Sequence, residues 1–232
     1  MPTSVLSIAG VKVSVHSADR ALNMEFCEDF GQETCQGTKS QTAVKLRLKL
    51  CLPPQTIQQL SARLYPFKNG IRLKNFGSRR LISYPEGAWL LYDYRNEQAC
   101  LWTTHYQLAR ELSYLCALSR TGQKLDMAGK HRIHASAIAL NGRTAVICGN
   151  SGSGKSSLAL LLTLDHKAEL FSDDFPLADK NCTIHSFRCR PAISPDNPVA
   201  DRNLSSRFLN RRRHGRKLLL PLSKFSQPTP AD

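Results

Sequence analysis

The sequence predicts an α/β protein of the α+β kind, with a mixed, largely antiparallel sheet core behind a β-rich N-terminal lobe. Three observations predict it. Apolar and polar residues alternate with period two in the N-terminal part; a strand, a glycine-rich loop and a helix follow one another between Thr144 and Leu164; and Asn141-Gly142 separates two strand-like runs just ahead of that loop. Period two puts alternate side chains on opposite faces of a strand, and Asn-Gly is the strongest short hairpin signal.

Val11 to Val15 reads Val-Lys-Val-Ser-Val, and Val44 to Leu50 alternates more cleanly, with Lys45, Arg47 and Lys49 on one face. Both are half-buried strands by pattern. Gln55 to Leu64 suits a short helix. From Arg80 to Thr104 come three short strands, Leu81–Tyr84, Trp89–Tyr94 and Ala99–Thr103, separated by Pro85-Glu86-Gly87 and Arg95-Asn96-Glu97, which predicts an antiparallel meander. Leu108, Leu112, Leu115 and Leu118 then recur at helical spacing within Tyr106 to Ser119. The hairpin arms are Ile133–Leu140 and Arg143–Cys148, and the second arm leads straight into the glycine loop. A parallel sheet does not supply such a hairpin, so the core is expected to be mixed or antiparallel. Ser156 to Leu164 reads as a buried helix, Leu170-Phe171-Ser172 as a strand leading to Asp173-Asp174, and Phe175 to Phe187 as a further hairpin around Asp179-Lys180-Asn181. On this reading residues 1–104 form the β-rich lobe, 105–225 the core and 226–232 a flexible tail.

With 232 residues the chain can bury one domain and a small lobe. No apolar run approaches the roughly 20 residues a bilayer span needs, and no charged-then-apolar signal opens the chain, so the expectation is a cytoplasmic protein without a membrane part. Eight scattered cysteines without a C-x-x-C pair read as reduced, small core residues rather than a zinc site. The net charge is +14. Between Glu33 and Glu86 there is no acidic side chain, whereas Lys39, Lys45, Arg47, Lys49, Arg63, Lys68, Arg72, Lys74, Arg79 and Arg80 fall inside. A second basic block runs from Arg202 to Lys217 and includes Arg207, Arg211, Arg212, Arg213 and Arg216. Such faces attract acidic partners; nucleic acid ranks lower, because no aromatic-interleaved RNA motif accompanies the charge.

The chemistry concentrates at Gly149-Asn150-Ser151-Gly152-Ser153-Gly154-Lys155-Ser156, a complete G-x-x-x-x-G-K-S phosphate loop. Its glycines reach backbone conformations that aim successive N–H groups into one concavity. Lys155 is then suited to the β- and γ-phosphates of a nucleoside triphosphate such as ATP, Ser156 to Mg²⁺, and the following helix directs its positive end at the anion, with Ser157 next to it. Asp173 and Asp174, at the end of the next strand, supply carboxylates of the kind phosphoryl transfer uses for metal binding and proton acceptance.

His134-Ala-Ser-Ala-Ile, Asn141-Gly142, the phosphate loop and Ser172-Asp173-Asp174 together resemble the catalytic domain of HPr kinase/phosphorylase and its relatives. That group shares its fold ancestry with phosphoenolpyruvate carboxykinase and includes kinases encoded beside peptide-modifying enzymes. The likeness covers about residues 131 to 180, and His134 precedes Gly149 by the family's fifteen positions. The resemblance implies a P-loop kinase core that moves the γ-phosphate of ATP, with Mg²⁺, to a hydroxyl of a peptide, protein or small molecule. It implies that His134 orients and tunes Asp173 as the base, that Asp174 joins Ser156 on the metal and that Lys155 serves the phosphates, and it leaves an oligomer open to the chain. Two departures stand out. Ser157 replaces the family's usual glutamate, and Phe187-Arg188-Cys189-Arg190-Pro191-Ala192-Ile193 replaces the motif of the reverse, phosphorolytic reaction, which argues against HPr itself as the substrate. Arg188, Arg190 and Lys217 are further candidates for phosphate contact. The alternative reading is a nucleotide-binding regulator with little turnover that docks on a polyanionic partner; a mechanical ATPase ranks below both.

Overall fold

The computed structural model describes residues 3–31, 42–200, 202, 204, 207–211 and 215–226. Lys39, Arg212, Arg213 and the tail predicted beyond residue 226 lie outside the described residues, as do the side chains of Arg207 and Arg211. The content is mixed α/β, and the chain divides into two compact units, Met1–Cys27 with Gln32–Thr121, and Glu28–Gly31 with Gly122–Asp232.

The first unit is built on an eight-stranded mixed sheet. Its elements in chain order are β1 (Thr3–Ile8), β2 (Val11–Ser17), α1 (Arg20–Glu28), β3 (Val44–Lys49), α2 (Gln55–Ser61), β4 (Tyr65–Pro66), β5 (Arg72–Phe76), β6 (Arg79–Tyr84), β7 (Ala88–Asp93), β8 (Gln98–Thr103) and α3 (Tyr106–Met127). The strand order is β1-β2-β3-β8-β7-β6-β5-β4. β3 lies parallel to both β2 and β8, and every other neighbouring pair is antiparallel. The predicted meander is therefore β6–β7–β8, in register from Arg79↔Asp93 to Ala88↔Thr103.

Alternation does what its period requires. Val44, Leu46 and Leu48 are buried, while Lys45, Arg47 and Lys49 between them are exposed. On the other face, α2 brings Ile57 into a cluster with Leu64, Leu81 and Trp102. α3 runs beyond its predicted end at Ser119 to Met127, and Leu115, grouped with its apolar stripe in the sequence, is 41% exposed. Arg120 on α3 donates to Glu97 at 2.9 and 3.2 Å and to the Tyr92 hydroxyl at 3.0 Å, tying the helix to the β7–β8 turn.

Two elements at the start of the unit escaped the sequence reading. β1 pairs with β2 across Ala9-Gly10, both at positive φ, and α1 begins where Asp19 Oδ1 accepts the Leu22 amide at 2.9 Å. That side-chain cap satisfies one of the amides a helix start leaves unpaired.

The second unit holds β9 (His131–Arg132), β10 (Ser136–Leu140), β11 (Arg143–Ile147), α4 (Lys155–Asp165), β12 (Glu169–Ser172), β13 (Leu177–Ala178), β14 (Ile184–His185), β15 (Ala192–Ile193), β16 (Arg207–Arg211) and β17 (Gly215–Leu219). They form three small antiparallel sheets, β11-β10-β12, β14-β13-β9 and β15-β17-β16. The Asn141-Gly142 turn has φ of 52° and 73°, the paired positive values that let a two-residue hairpin match strand twist. α4 packs on β10 and β12, and Leu160, Ala159, Ile138, Leu170, Leu218 and Phe225 share one core cluster.

The predicted 175–187 hairpin is present as β13–β14, shorter than expected because Asp179 accepts the Asn181 and Thr183 amides and bonds His185 at 2.9 Å in a wide turn. All described cysteines are free. Cys27, Cys116 and Cys189 are buried as expected, whereas Cys51, Cys148 and Cys182 are exposed, so the core reading of cysteine holds for some positions and is corrected for these.

Candidate functional site

The order β11-β10-β12 gathers the sequence candidates at one sheet end. β10 lies in the middle, antiparallel to both neighbours, so β11 and β12 run the same way and finish together. Ile147, the last residue of β11, faces Ser136, the first of β10; Ser172, the last of β12, faces Ala137 beside it. The glycine loop continues from the first strand end, Asp173-Asp174 from the second, and His134 stands two positions ahead of β10. β11 is an edge strand, so its Thr144 and Ala145 are exposed, unlike the buried run its apolar composition suggests.

Loop residues 149–154 are exposed, and α4 starts at Lys155. Gly152 and Gly154 have φ of 81° and 87°, a region side chains with Cβ rarely enter. Gly154 is the N-cap of α4 and offers no side-chain bond, which leaves the first amides of the helix for another acceptor. Lys155 Nζ donates to the carbonyls of Gly149 at 2.9 Å and Asn150 at 3.0 Å, holding the ammonium over the loop. Ser151 and Ser153 lie on the exposed loop, and the Ser153 amide donates to Asn150 at 3.2 Å.

The two carboxylates differ in surroundings. Asp173 is 6% exposed. The Ser136 hydroxyl donates to its backbone carbonyl at 2.6 Å and lies 3.3 Å from Oδ1, and the Ser156 hydroxyl is near enough to its carboxylate to stabilise the ionised form. Burial raises the Asp173 carboxyl to about 6; the neighbouring Asp174 charge adds to this, while Ser156, Ser136 and Lys155 oppose it. Asp174 is open to solvent, its side chain 46% exposed, and its Oδ1 is 3.1 Å from His134 Nδ1. The closest pairing at the two carboxylates is between His134 and Asp174, whereas Asp173, which the resemblance pairs with His134, has Ser136 and Ser156 as its neighbours. Both carboxylates lie in the bend that follows β12, where the chain turns away from the sheet.

Oxygen donors from a hydroxyl and a carboxylate suit a hard cation such as Mg²⁺, which takes few protein ligands and keeps phosphates and water for the rest. Ser156 and the neighbouring Asp173 carboxylate are such a donor set. Among the described residues no group of three or more His, Cys, Asp or Glu is placed to hold a metal ion.

Two further residues join the site that the sequence reading passed over. Ser136 was legible only as a small strand residue inside His134-Ala-Ser-Ala-Ile. Asn197 donates to the Ser157 hydroxyl at 2.8 Å, forty positions away, a contact no local pattern signals. Arg190, a candidate for phosphate contact, is engaged elsewhere: its side chain is 9% exposed and lies 3.0 Å from Glu28 and 3.6 Å from Asp29. Lys217 Nζ bonds Ser194 at 3.3 Å. No protein-family model matches the chain, and no curated protein matches it.

Proposed function

We propose that this protein is an ATP-dependent kinase that transfers the γ-phosphate to a hydroxyl of a peptide, protein or small molecule. The observation that carries the reading is the convergence of the exposed glycine loop, the Ser156–Asp173 pair and the His134–Asp174 pair at one end of β11-β10-β12. Loop amides and Lys155 hold the triphosphate, and the start of α4 directs its dipole at the anion. Bound Mg²⁺ supplies charge neutralisation at the β- and γ-phosphates.

The contacts favour an exchange of the two acidic roles expected from the family resemblance. Asp173, buried and beside Ser156, belongs with the metal side. Asp174, its side chain 46% exposed and 3.1 Å from His134, is the carboxylate open to an incoming acceptor and takes its proton. The acceptor oxygen forms a bond to the γ-phosphorus, the bond to the β–γ bridging oxygen breaks, ADP leaves, and the hydroxyl proton passes to Asp174.

The test pairs calorimetry with transfer from labelled ATP to a panel of hydroxyl-bearing peptides and small molecules, water serving as the default acceptor. Wild-type protein releases heat with Mg-ATP, and Lys155→Ala does not. Asp174→Asn keeps nucleotide binding and loses turnover by roughly 100-fold or more, the usual worth of a general base. Absence of heat with the wild type, or undiminished turnover in Asp174→Asn, overturns the reading.

A further inference from the structure

Away from the phosphate loop, the most ordered chemical pattern lies on the outer face of β1, β2 and β3. Lys45, Arg47 and Lys49 occupy successive outward positions of β3, with Val44, Leu46 and Leu48 turned inward and at most 4% exposed. In register, Lys45 lies beside Ser14 and Arg47 beside His16 of β2. α2 and its apolar partners cover this same face farther along, around Trp102, the register neighbour of Lys49. Over β1 to β3 it opens instead into a cleft of about 1000 Å³.

The cleft is one-sided in charge. Its single carboxylate among the described residues is Asp19, whose Oδ1 is taken up by the Leu22 amide at the start of α1. Among the described residues no ion pair involves Lys45, Arg47 or Lys49. Like charges crowded on one strand repel one another, and an anion that runs along the strand relieves all of them together.

Spacing identifies the anion. Outward residues on a strand recur every second position, about 6.6 Å apart, and so do alternate side chains of an extended peptide. A single-stranded nucleic acid fits less well, because such ligands are held by aromatic stacking platforms, and no Phe, Tyr or Trp lines the cleft. We infer that the outer face of β1–β3 docks an extended peptide segment carrying acidic residues at alternate positions, whose carboxylates meet Lys45, Arg47 and Lys49. This goes beyond the kinase reading and stands without it.

The test is fluorescence anisotropy on the full chain with a labelled peptide of about nine residues bearing aspartate at alternate positions. An otherwise identical peptide with asparagine is the control. The aspartate peptide binds and weakens as salt rises from about 50 to about 150 mM, as screened charge pairs do. Arg47→Glu lowers affinity roughly tenfold, and joint replacement of Lys45, Arg47 and Lys49 by Gln roughly 100-fold, while Lys68→Gln, outside the cleft, changes it less than about twofold. Circular dichroism checks each fold; if the triple variant unfolds, the single one decides. Equal binding of the asparagine peptide, no binding of the aspartate peptide, or unchanged affinity in the variants overturns the inference. So does tighter binding of an oligonucleotide of equal charge through the same three residues.

Discussion

The Ser136 hydroxyl donates to the Asp173 backbone carbonyl at 2.6 Å, thirty-seven positions away, and stands 3.3 Å from the Asp173 carboxylate. Both residues are buried, so the bond joins the start of β10 to the end of β12 where water is scarce. Ser136→Ala leaves that carbonyl without its partner and removes one of the groups that hold the Asp173 pKa down. The variant is expected to lose about 1–2 kcal/mol in urea denaturation, the usual cost of an unsatisfied buried group.

Asp173 predicts the pH dependence of stability. Its carboxyl is raised by burial from the ordinary 3.8 to about 6 in the folded chain. Below the unfolded value both states carry the proton and the group costs nothing. Between 3.8 and about 6 the unfolded state loses its proton first, so stability falls as pH rises through that window and stays lower above it. Asp173→Asn removes this loss. It is expected to be more stable than wild type at neutral pH by on the order of 2 kcal/mol and to lose the advantage below about pH 4, as read from urea midpoints across pH.

Gly154 and Gly149 predict costs of different size in the same loop. Gly154 has φ of 87° with nothing within 4 Å of an added Cβ, so its alanine variant meets backbone strain alone. Gly154→Ala should cost about 1–2 kcal/mol and weaken Mg-ATP binding, because relaxation turns the start of α4. At Gly149 the added Cβ meets the Ser153 hydroxyl at 2.6 Å, a side chain free to rotate. Gly149→Ala should therefore cost less in thermal denaturation than Gly154→Ala.

The buried Arg190 side chain forms an ion pair with the partly exposed Glu28 at 3.0 Å and lies 3.6 Å from Asp29, itself 4% exposed. Arg190→Ala removes the cation shared by Glu28 and Asp29 and should cost about 1–3 kcal/mol by chemical denaturation, the usual worth of a charge-assisted hydrogen bond. Replacing Glu28 and Asp29 by Gln and Asn in the same variant should recover part of that loss, since the two neighbouring negative charges are then gone.

Much of the secondary structure was legible because its signals are local. The alternation of Val44 to Lys49, the Asn141-Gly142 turn and the helix after Lys155 each follow from a few adjacent residues, and all three form. β1 was missed because Thr3 to Ile8 shows its inward face only as Ser4, Leu6 and Ile8, a weaker alternation with a polar member. Arg190 was misread because a basic residue in a loop resembles a surface residue until its distant acids are known.

By itself, the sequence determined β3, the β10–β11 hairpin, the glycine loop and the helix that follows Gly154, because backbone preference and side-chain pattern act within a few positions. Only the tertiary structure decided which of those residues meet. Ser136, Ser156 and Asp173 come together, and His134 pairs with Asp174, because β11 and β12 both pair antiparallel with β10 and end beside its first residues. Strand order and the pairing that sets strand ends side by side are properties of the sheet, and no short stretch of chain carries them.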